Sequence, residues 1–371
     1  MNHQSLSVSI VLPTLNEKEN VIELIGTILS YSAPLNLDVL VVDDNSSDGT
    51  QEAVLELSQA NKCIRMIERF GRKGLASAIK EGILNCHSDY IVLMDSDGQH
   101  KAEAIVQALE KLINEDLDIV IGSRFMKESS INGLSSERTY GSRLANKLAR
   151  LSLHDKHKCL SDYMSGFFVL NNRPHIIEIV QNIDVKGFKF LYEFLSSGSK
   201  IISSGEIPLD FKERQYGESK LNLPIVWDFI ISLIYALSLK IIPRRAISFA
   251  LVGCTGVLIQ LVSFHMLGNI IGYNFNGALI VSVFIAAASN FYVNNILTFR
   301  FERLCGFDLF RGLLQYLLVI SLPIALNISI ANIVYTQVTE NTISAQLAGI
   351  IIAYAWNYIA TSKFIWRVAG N

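Results

Sequence analysis

From Ala246 to Phe299 the chain carries no Asp, Glu, Lys or Arg, and two further charge-free runs follow, Gly312 to Thr339 and Asn341 to Ser362. Stretches of that length have no solvated face to offer water, and a helix crossing a bilayer needs about 20 largely apolar residues. The first run is long enough for two such helices, split at the polar, glycine-containing "GNIIGYNFNG" (Gly268–Gly277). The other two runs hold one each. Four spans are therefore expected, near 246–271, 276–299, 312–335 and 344–364. With 50% hydrophobic and only 18% charged residues, the composition of the 371-residue chain leans the same way.

The flanks set an orientation. Arg244 and Arg245 precede the first span, Arg300, Arg303 and Arg311 separate the second from the third, and Lys363 and Arg367 follow the fourth. Basic flanks stay in the cytoplasm, so both chain termini are expected there. Two span ends also resemble each other. "NFYVNNILTFR" (Asn290–Arg300) and "NYIATSKFIWR" (Asn357–Arg367) each begin Asn-aromatic and end aromatic-Arg, as a duplicated helix pair would. Before the first span, "PIVWDFIISLIYALSLKII" (Pro224–Ile242) is apolar but holds Asp228 and Lys240. Its Trp227, Ile230, Ile231, Ile234 and Leu237 recur at helical spacing. That pattern predicts an interfacial amphipathic helix over 224–243. A fifth span is the alternative, but an odd number would set the two ends of the chain on opposite sides.

Residues 1–223 read as a cytoplasmic domain in ordinary water. The net charge of −2 offers no basic footprint for nucleic acid. Five scattered cysteines, Cys63, Cys86, Cys159, Cys254 and Cys305, suit free thiols in a reducing compartment. The first residues lack the basic start and long apolar core of a secretory signal. Strand-like runs at 7–13, 37–44, 63–69, 90–95 and 118–123 alternate with helical patterns near 17–31, 50–60, 73–86 and 101–115. This is the rhythm of an α/β domain with a mostly parallel, Rossmann-like sheet. Such sheets bind ligands at the carboxyl ends of their strands. Polar clusters sit there: Pro13 to Glu17, then Asp43 to Thr50, then Asp95 and Asp97, then Ser123 and Arg124. Acids beside an arginine on one sheet edge suit a nucleotide, a cation and a phosphate. Asp48-Gly49-Thr50 also reads as a helix cap.

The ordered segments "SIVLPTLNEKENV", "VVDDNSSDGT", "GLASAIKEGI", "MDSDGQH", "SDYMSGFFVL" and "ERQYGESKL" resemble the inverting glycosyltransferases of GT-A fold in family 2. The closest group resembled is that of dolichol-phosphate mannose synthases and bacterial polyprenyl-phosphate glycosyltransferases. The likeness covers about 7–223. The tail, 244–371, resembles more loosely the four-helix GtrA-like membrane domain fused to some members. The resemblance implies nucleotide-sugar contacts at Pro13, Glu17, Asp44, Gly71, Lys73, Gly74, Ala76, Asp95 and Ser96. It implies a divalent-cation site, Mg²⁺ or Mn²⁺, at Asp95, Asp97 and Gln99. Arg124, Asp162 and Ser165 match acceptor-side positions, with Arg138 and Arg143 as weaker candidates. Arg214 and Lys220 match a basic pair on the loop before the membrane helices, which makes Asp97, Arg124, Arg214 and Lys220 the expected catalytic set. "RFGRKGLASA" departs from the usual glycine-rich form of its segment.

Physical chemistry favours the same roles. A nucleoside diphosphate gains negative charge as it leaves, and a hard cation on carboxylate oxygens stabilises it. A lipid phosphate already bears the attacking anion, so no activating base is required, and direct attack inverts the anomeric carbon. The expected activity is hexose transfer, mannose from GDP-mannose, to polyprenyl or dolichyl phosphate at the cytoplasmic face of the cell membrane. A UDP-glucose or other UDP-sugar donor with undecaprenyl phosphate is the same-class alternative. A glycolipid flippase or scaffold with a nucleotide-binding domain is the different-class one. Oligomeric state, a homo-oligomer included, is left open. The His154–Cys159 cluster lacks a second zinc-ligand pair and reads as a solvated loop or helix end. Asn and Gln residues within the spans read first as helix–helix hydrogen bonds.

Overall fold

A computed structural model describes residues 6–31, 35–71, 74–127, 129, 136–183, 189–197, 202–210, 223–337 and 342–366. The chain divides into two units, Met1–Leu237 and Ser238–Asn371.

In the first unit, β1 (Ser7–Thr14), β2 (Asn36–Asp43), β3 (Ile64–Glu68), β4 (Tyr90–Met94) and β5 (Ile119–Ser123) alternate with four helices. These are α1 (Lys18–Tyr31), α2 (Thr50–Ala60), α3 (Leu75–Leu84) and α4 (Glu103–Asn114). Then come α5 (Ser136–Ser152), β6 (Phe167–Asn171), α6 (Pro174–Asn182), α7 (Phe190–Ser197), β7 (Ser204–Pro208) and α8 (Leu223–Leu237). The seven strands lie in the order β3-β2-β1-β4-β6-β5-β7. β1 is almost wholly buried because helices cover both of its faces, and its apolar side chains sort by period two. Val8, Ile10 and Leu12 join the core beneath α1 and α4, whereas Val11 joins the core beneath α3, α6 and α7.

The fold is the expected mostly parallel α/β sheet, with two strands that the sequence reading did not include. β6 runs antiparallel between β4 and β5, pairing Met94 with Phe167 and Ile121 with Phe168. β7 extends β5 in parallel, Ile119 to Ser204 through Ser123 to Pro208. The chain enters β6 from the carboxyl ends of its neighbours, so the residues preceding β6 lie among the polar strand ends. Strand order reverses at β1, which pairs with β2 on one side and β4 on the other. A sheet of this kind binds ligands at such a reversal. α8 packs its Phe229 and Leu233 into the core while Val226, Ile230 and Leu237 stay exposed.

The second unit is helical: α9 (Arg244–His265), α10 (Phe275–Val293), α11 (Gly306–Gln337) and α12 (Thr342–Phe364). α9 and α10 each end in one π turn, Met266–Ile270 and Asn294–Thr298. Among the described residues, Arg244–Ile270 and Val281–Thr298 are long and apolar enough to cross a bilayer. The two similar span ends noted in the sequence meet: Phe299 and Trp366, at the same step of each motif, stack with centroids 4.1 Å apart and planes 8° from parallel. Trp366 Nε1 donates to Asn295 Oδ1 at 3.0 Å, and Asn295 also exchanges two bonds with the Leu304 backbone. At Gly256 a Cβ would stand 2.3 Å from the Asn290 amide, so only glycine allows α9 and α10 this contact.

Candidate active site

The ends of β1 and β2 are tied before any ligand is considered. Asp43 is fully buried and accepts from Thr14 Oγ1, Ser46 N, Ser46 Oγ and Gln51 Nε2. Its neighbour Asp44 accepts from the Arg69 guanidinium on one oxygen and from Gly74 N at 2.7 Å on the other. Arg69 is 1% exposed and continues to Glu81 Oε2 at 3.0 Å and Ser77 Oγ at 2.6 Å. A charge so deeply buried requires such partners, and Arg69 together with Gly74 N fixes Asp44 at the mouth of the sheet. Arg69 was not among the expected site residues; it stands one residue after β3, in line with the other strand-end clusters. Glu17 holds Asn20 Nδ2 at 2.7 Å. The Asp48 carboxylate accepts from Thr50 N and Lys18 N, while Gly49, with φ 89°, takes the cap position of α2. Ala76 is packed in the core. Lys73 lies outside the described residues.

At the end of β4, Ser96 Oγ donates to Pro13 O at 2.7 Å, so two expected contact residues are latched across the β1–β4 reversal. The Asp95 backbone donates to Gly166 O at 3.1 Å. Its carboxylate lies against Gly166 itself, where a Cβ would fall 1.8 Å from Oδ2. Glycine is thus required by the close approach. Withdrawal from solvent pushes the Asp95 carboxyl up, but His100, Lys189 and Arg124 outweigh it and hold it below the ordinary carboxylate value. His100 is buried, with Nε2 4.0 Å from Asp95 Oδ2, an ion-pair distance rather than a hydrogen bond. Asp97 accepts from Gln99 N at 3.2 Å, across Gly98 with φ 72°.

Asp95 keeps a 27% accessible side chain and Asp97 is half-buried, whereas Gln99 is buried, so this end offers carboxylate oxygens with an open side. That chemistry fits a hard cation with six oxygen ligands, most of them supplied by diphosphate and water. Among the described residues no group of three His, Cys, Asp or Glu side chains forms a closed metal cage. His157, from the segment considered for zinc, is buried with Nδ1 3.2 Å from Ser204 Oγ.

Arg124, at the end of β5, meets Asp162 in a two-pronged pair, Nε to Oδ2 at 2.7 Å and Nη2 to Oδ1 at 3.0 Å. Burial pushes the Asp162 carboxyl up; the Arg124 charge and hydrogen bonds more than offset that and hold it down. Glu206 on β7 accepts from the backbones of Ser161 and Asp162, and burial raises its carboxyl above the usual value. Asn146 of α5 touches the same segment, accepting from Tyr163 N at 2.7 Å. Ser165 is buried, and its hydroxyl donates to Gly122 O at 2.6 Å, joining β5 to the start of β6. Arg143 is exposed on α5. Arg138 starts the same helix, but its side chain, like Arg214 and Lys220 altogether, lies outside the described residues. The antiparallel β6 thus brings the Asp162–Gly166 segment between the Asp95 and Arg124 strand ends, a meeting that spacing in the sequence does not disclose.

Acids and a paired arginine share one edge of the sheet, and long apolar helices follow later in the chain. Glycosyl transferase family 2 matches residues 9–172, and the GtrA/DPMS transmembrane domain matches 248–366. A dolichol-phosphate mannosyltransferase of Pyrococcus furiosus is 30% identical over 97% of this chain and 99% of its own length. One from Saccharomyces cerevisiae is 29% identical over 61% of this chain and 85% of its own. Among solved structures, glucosyl-3-phosphoglycerate synthase from Mycobacterium tuberculosis, in complex with Mn²⁺, UDP-glucose and phosphoglyceric acid, aligns with a TM-score of 0.48. It is 16% identical and covers 62% of this chain and 80% of its own. The chain belongs to glycosyltransferase family 2, in the dolichol-phosphate mannosyltransferase group that carries a GtrA/DPMS transmembrane domain.

Proposed function

We propose that the protein transfers mannose from GDP-mannose to a dolichyl or other polyprenyl phosphate at the cytoplasmic face of the membrane, with inversion at the anomeric carbon. The observation that carries this reading is the collinear likeness, over nearly the whole of both chains, to the Pyrococcus furiosus enzyme named for that lipid and sugar. In this reading residues 1–223 form the catalytic domain, 224–243 lie along the cytoplasmic leaflet, and 244–371 cross the membrane four times with both termini inside.

Asp44, fixed by Arg69 and Gly74, faces the nucleoside together with Pro13 and Glu17. Asp95, Asp97 and Gln99 hold a divalent cation, Mg²⁺ or Mn²⁺, which when bound would neutralise charge on the diphosphate. Arg124, joined by Arg214 and Lys220, draws the lipid phosphate toward the sugar despite the repulsion between two anions. A phosphate oxygen attacks the anomeric carbon, the bond to the diphosphate oxygen breaks, and GDP leaves. The nucleophile is already ionised at neutral pH, so the site needs positioning and charge compensation rather than a base.

Purified full-length protein in detergent, given Mn²⁺ and polyprenyl phosphate, is offered GDP-mannose, UDP-glucose or UDP-N-acetylglucosamine, and the lipid product is assayed. Mannosyl lipid formed from GDP-mannose, and lost on chelation or in Asp97→Asn, is the expected result. Preferential turnover of a UDP-sugar overturns the donor assignment, and undiminished transfer by Asp97→Asn overturns the cation site.

A further inference from the structure

α5 has two faces. Tyr140, Leu144, Leu148 and Leu151 point outward, whereas Asn146, Ala149 and, just past the helix end, Leu153 point into the core. Asn146 is 7% exposed on that apolar inner face, and its carboxamide is spent on the segment that holds Arg124. The oxygen accepts from Tyr163 N at 2.7 Å, and the nitrogen donates to Asp162 Oδ1 at 3.3 Å. The same Oδ1 receives Arg124 Nη2 at 3.0 Å and Met164 N at 3.1 Å.

The chemistry of the two contacts allows one residue type. A flipped amide would set its NH₂ against the Tyr163 N–H and its oxygen against a carboxylate. Aspartate would keep the first bond and repel Asp162. Leucine would fill the volume and leave a buried N–H without an acceptor. An alanine in a plain core position would answer for packing alone, yet here both polar ends of the side chain reach the residues that orient the arginine.

We propose that Asn146 is a positioning residue for the acceptor phosphate, acting through Asp162 to set the Arg124 guanidinium. This rests on the assignment of Arg124 to the acceptor phosphate. Steady-state kinetics are measured on the full chain in detergent, with dolichyl phosphate and with whichever donor turns over in the comparison above. Asn146→Ala raises KM for dolichyl phosphate about tenfold, the scale of losing one hydrogen bond to a charged group, and leaves KM for the donor within about twofold. In an Arg124→Ala background the same substitution adds no further rise, since a residue that works through another is silent once that other is gone. Asn146→Asp, which retains the Tyr163 bond and hence the local fold, shows the same selective rise.

Equal changes in both KM values, or an Asn146→Ala effect that persists in full without Arg124, reduce Asn146 to a packing residue and overturn the inference alone. An acceptor KM unmoved by Arg124→Ala overturns the assignment of Arg124 and the inference with it.

Discussion

The two units bury polar groups by opposite rules. In the α/β unit charged groups are buried, in pairs such as Arg69 with Asp44 and Glu81 or Arg124 with Asp162, or, like Asp43, among neutral donors. In the helical unit they are neutral amides and hydroxyls, such as Ser248 with Thr298 at 2.7 Å and Asn295 with Trp366. Charge there stays near the helix ends, as in Arg245 with Glu302 at 2.6 Å. A charge in water-facing protein can be tuned by neighbours and used, whereas within a hydrocarbon layer its desolvation has no such offset. The buried ion pairs thus belong to the first unit, and the neutral contacts of the second join one helix to another.

Substitutions at the tightest contact of each unit should have different consequences. Gly166→Ala is the severest case: its methyl occupies the place of the Asp95 carboxylate, and displacement of that group by about an ångström lowers transfer about a hundredfold. The overlap also costs about 1–3 kcal/mol of stability, so transfer is scored per folded molecule, and a loss of activity that only follows the loss of folded protein counts against the geometric cause. Gly256→Ala is its counterpart in the helical unit, where a methyl meets the Asn290 amide. Overpacking there costs about 1–3 kcal/mol of stability, read as a lower midpoint in detergent, and kcat per folded molecule holds within about twofold. A fall in kcat would erase the division of labour between the units. Trp366→Phe keeps the stack on Phe299 and removes the bond to Asn295, for about 1 kcal/mol in the same measurement.

The smallest effect is in pH. Asp38, Asp118 and Asp162, each desolvated yet held by cations or hydrogen bonds, have folded-state values below 3.8. Their stabilisation is whole above that unfolded value and fades as pH falls through the lower folded ones. The α/β unit should hold its midpoint from pH 7 to about 5 and lose it below about 4. A midpoint that rises on acidification contradicts those directions.

How much of this was legible in advance differs between the units for physical reasons. β2 and β4 carry apolar runs closed by acids, VLVVDD and YIVLMD, and β1 the apolar run IVLP, as buried parallel strands must. β7, "SGEIP", buries one residue, Ile207, and ends in Pro208; an edge strand that short has no pattern to read. β6, "FFVLN", is apolar enough, but its antiparallel direction depends on pairing partners distant in sequence. Asp95 and Arg124 could be named from their strand ends, and Arg69 carried the same signal one residue past β3, whereas Asn146 and Glu206 enter only once folding sets them against the Asp162 segment. In the helices, absence of charge marked the long apolar segments, of which Arg244–Ile270 and Val281–Thr298 are spans by length among the described residues, whereas the Asn-aromatic and aromatic-Arg echoes suggested a duplicated pair and not the Phe299–Trp366 contact.

The short approach to β6 has a consequence for anyone re-engineering the specificity. Asp162 grips the arginine of one neighbouring strand and Gly166, four residues on, cradles the carboxylate of the other. That segment acts as a ruler between the ends of β4 and β5, and a single inserted or deleted residue would miscut it. Swapping the sugar preference of one enzyme into another by exchanging blocks of sequence should therefore succeed only when β4, the ruler and β5 travel together.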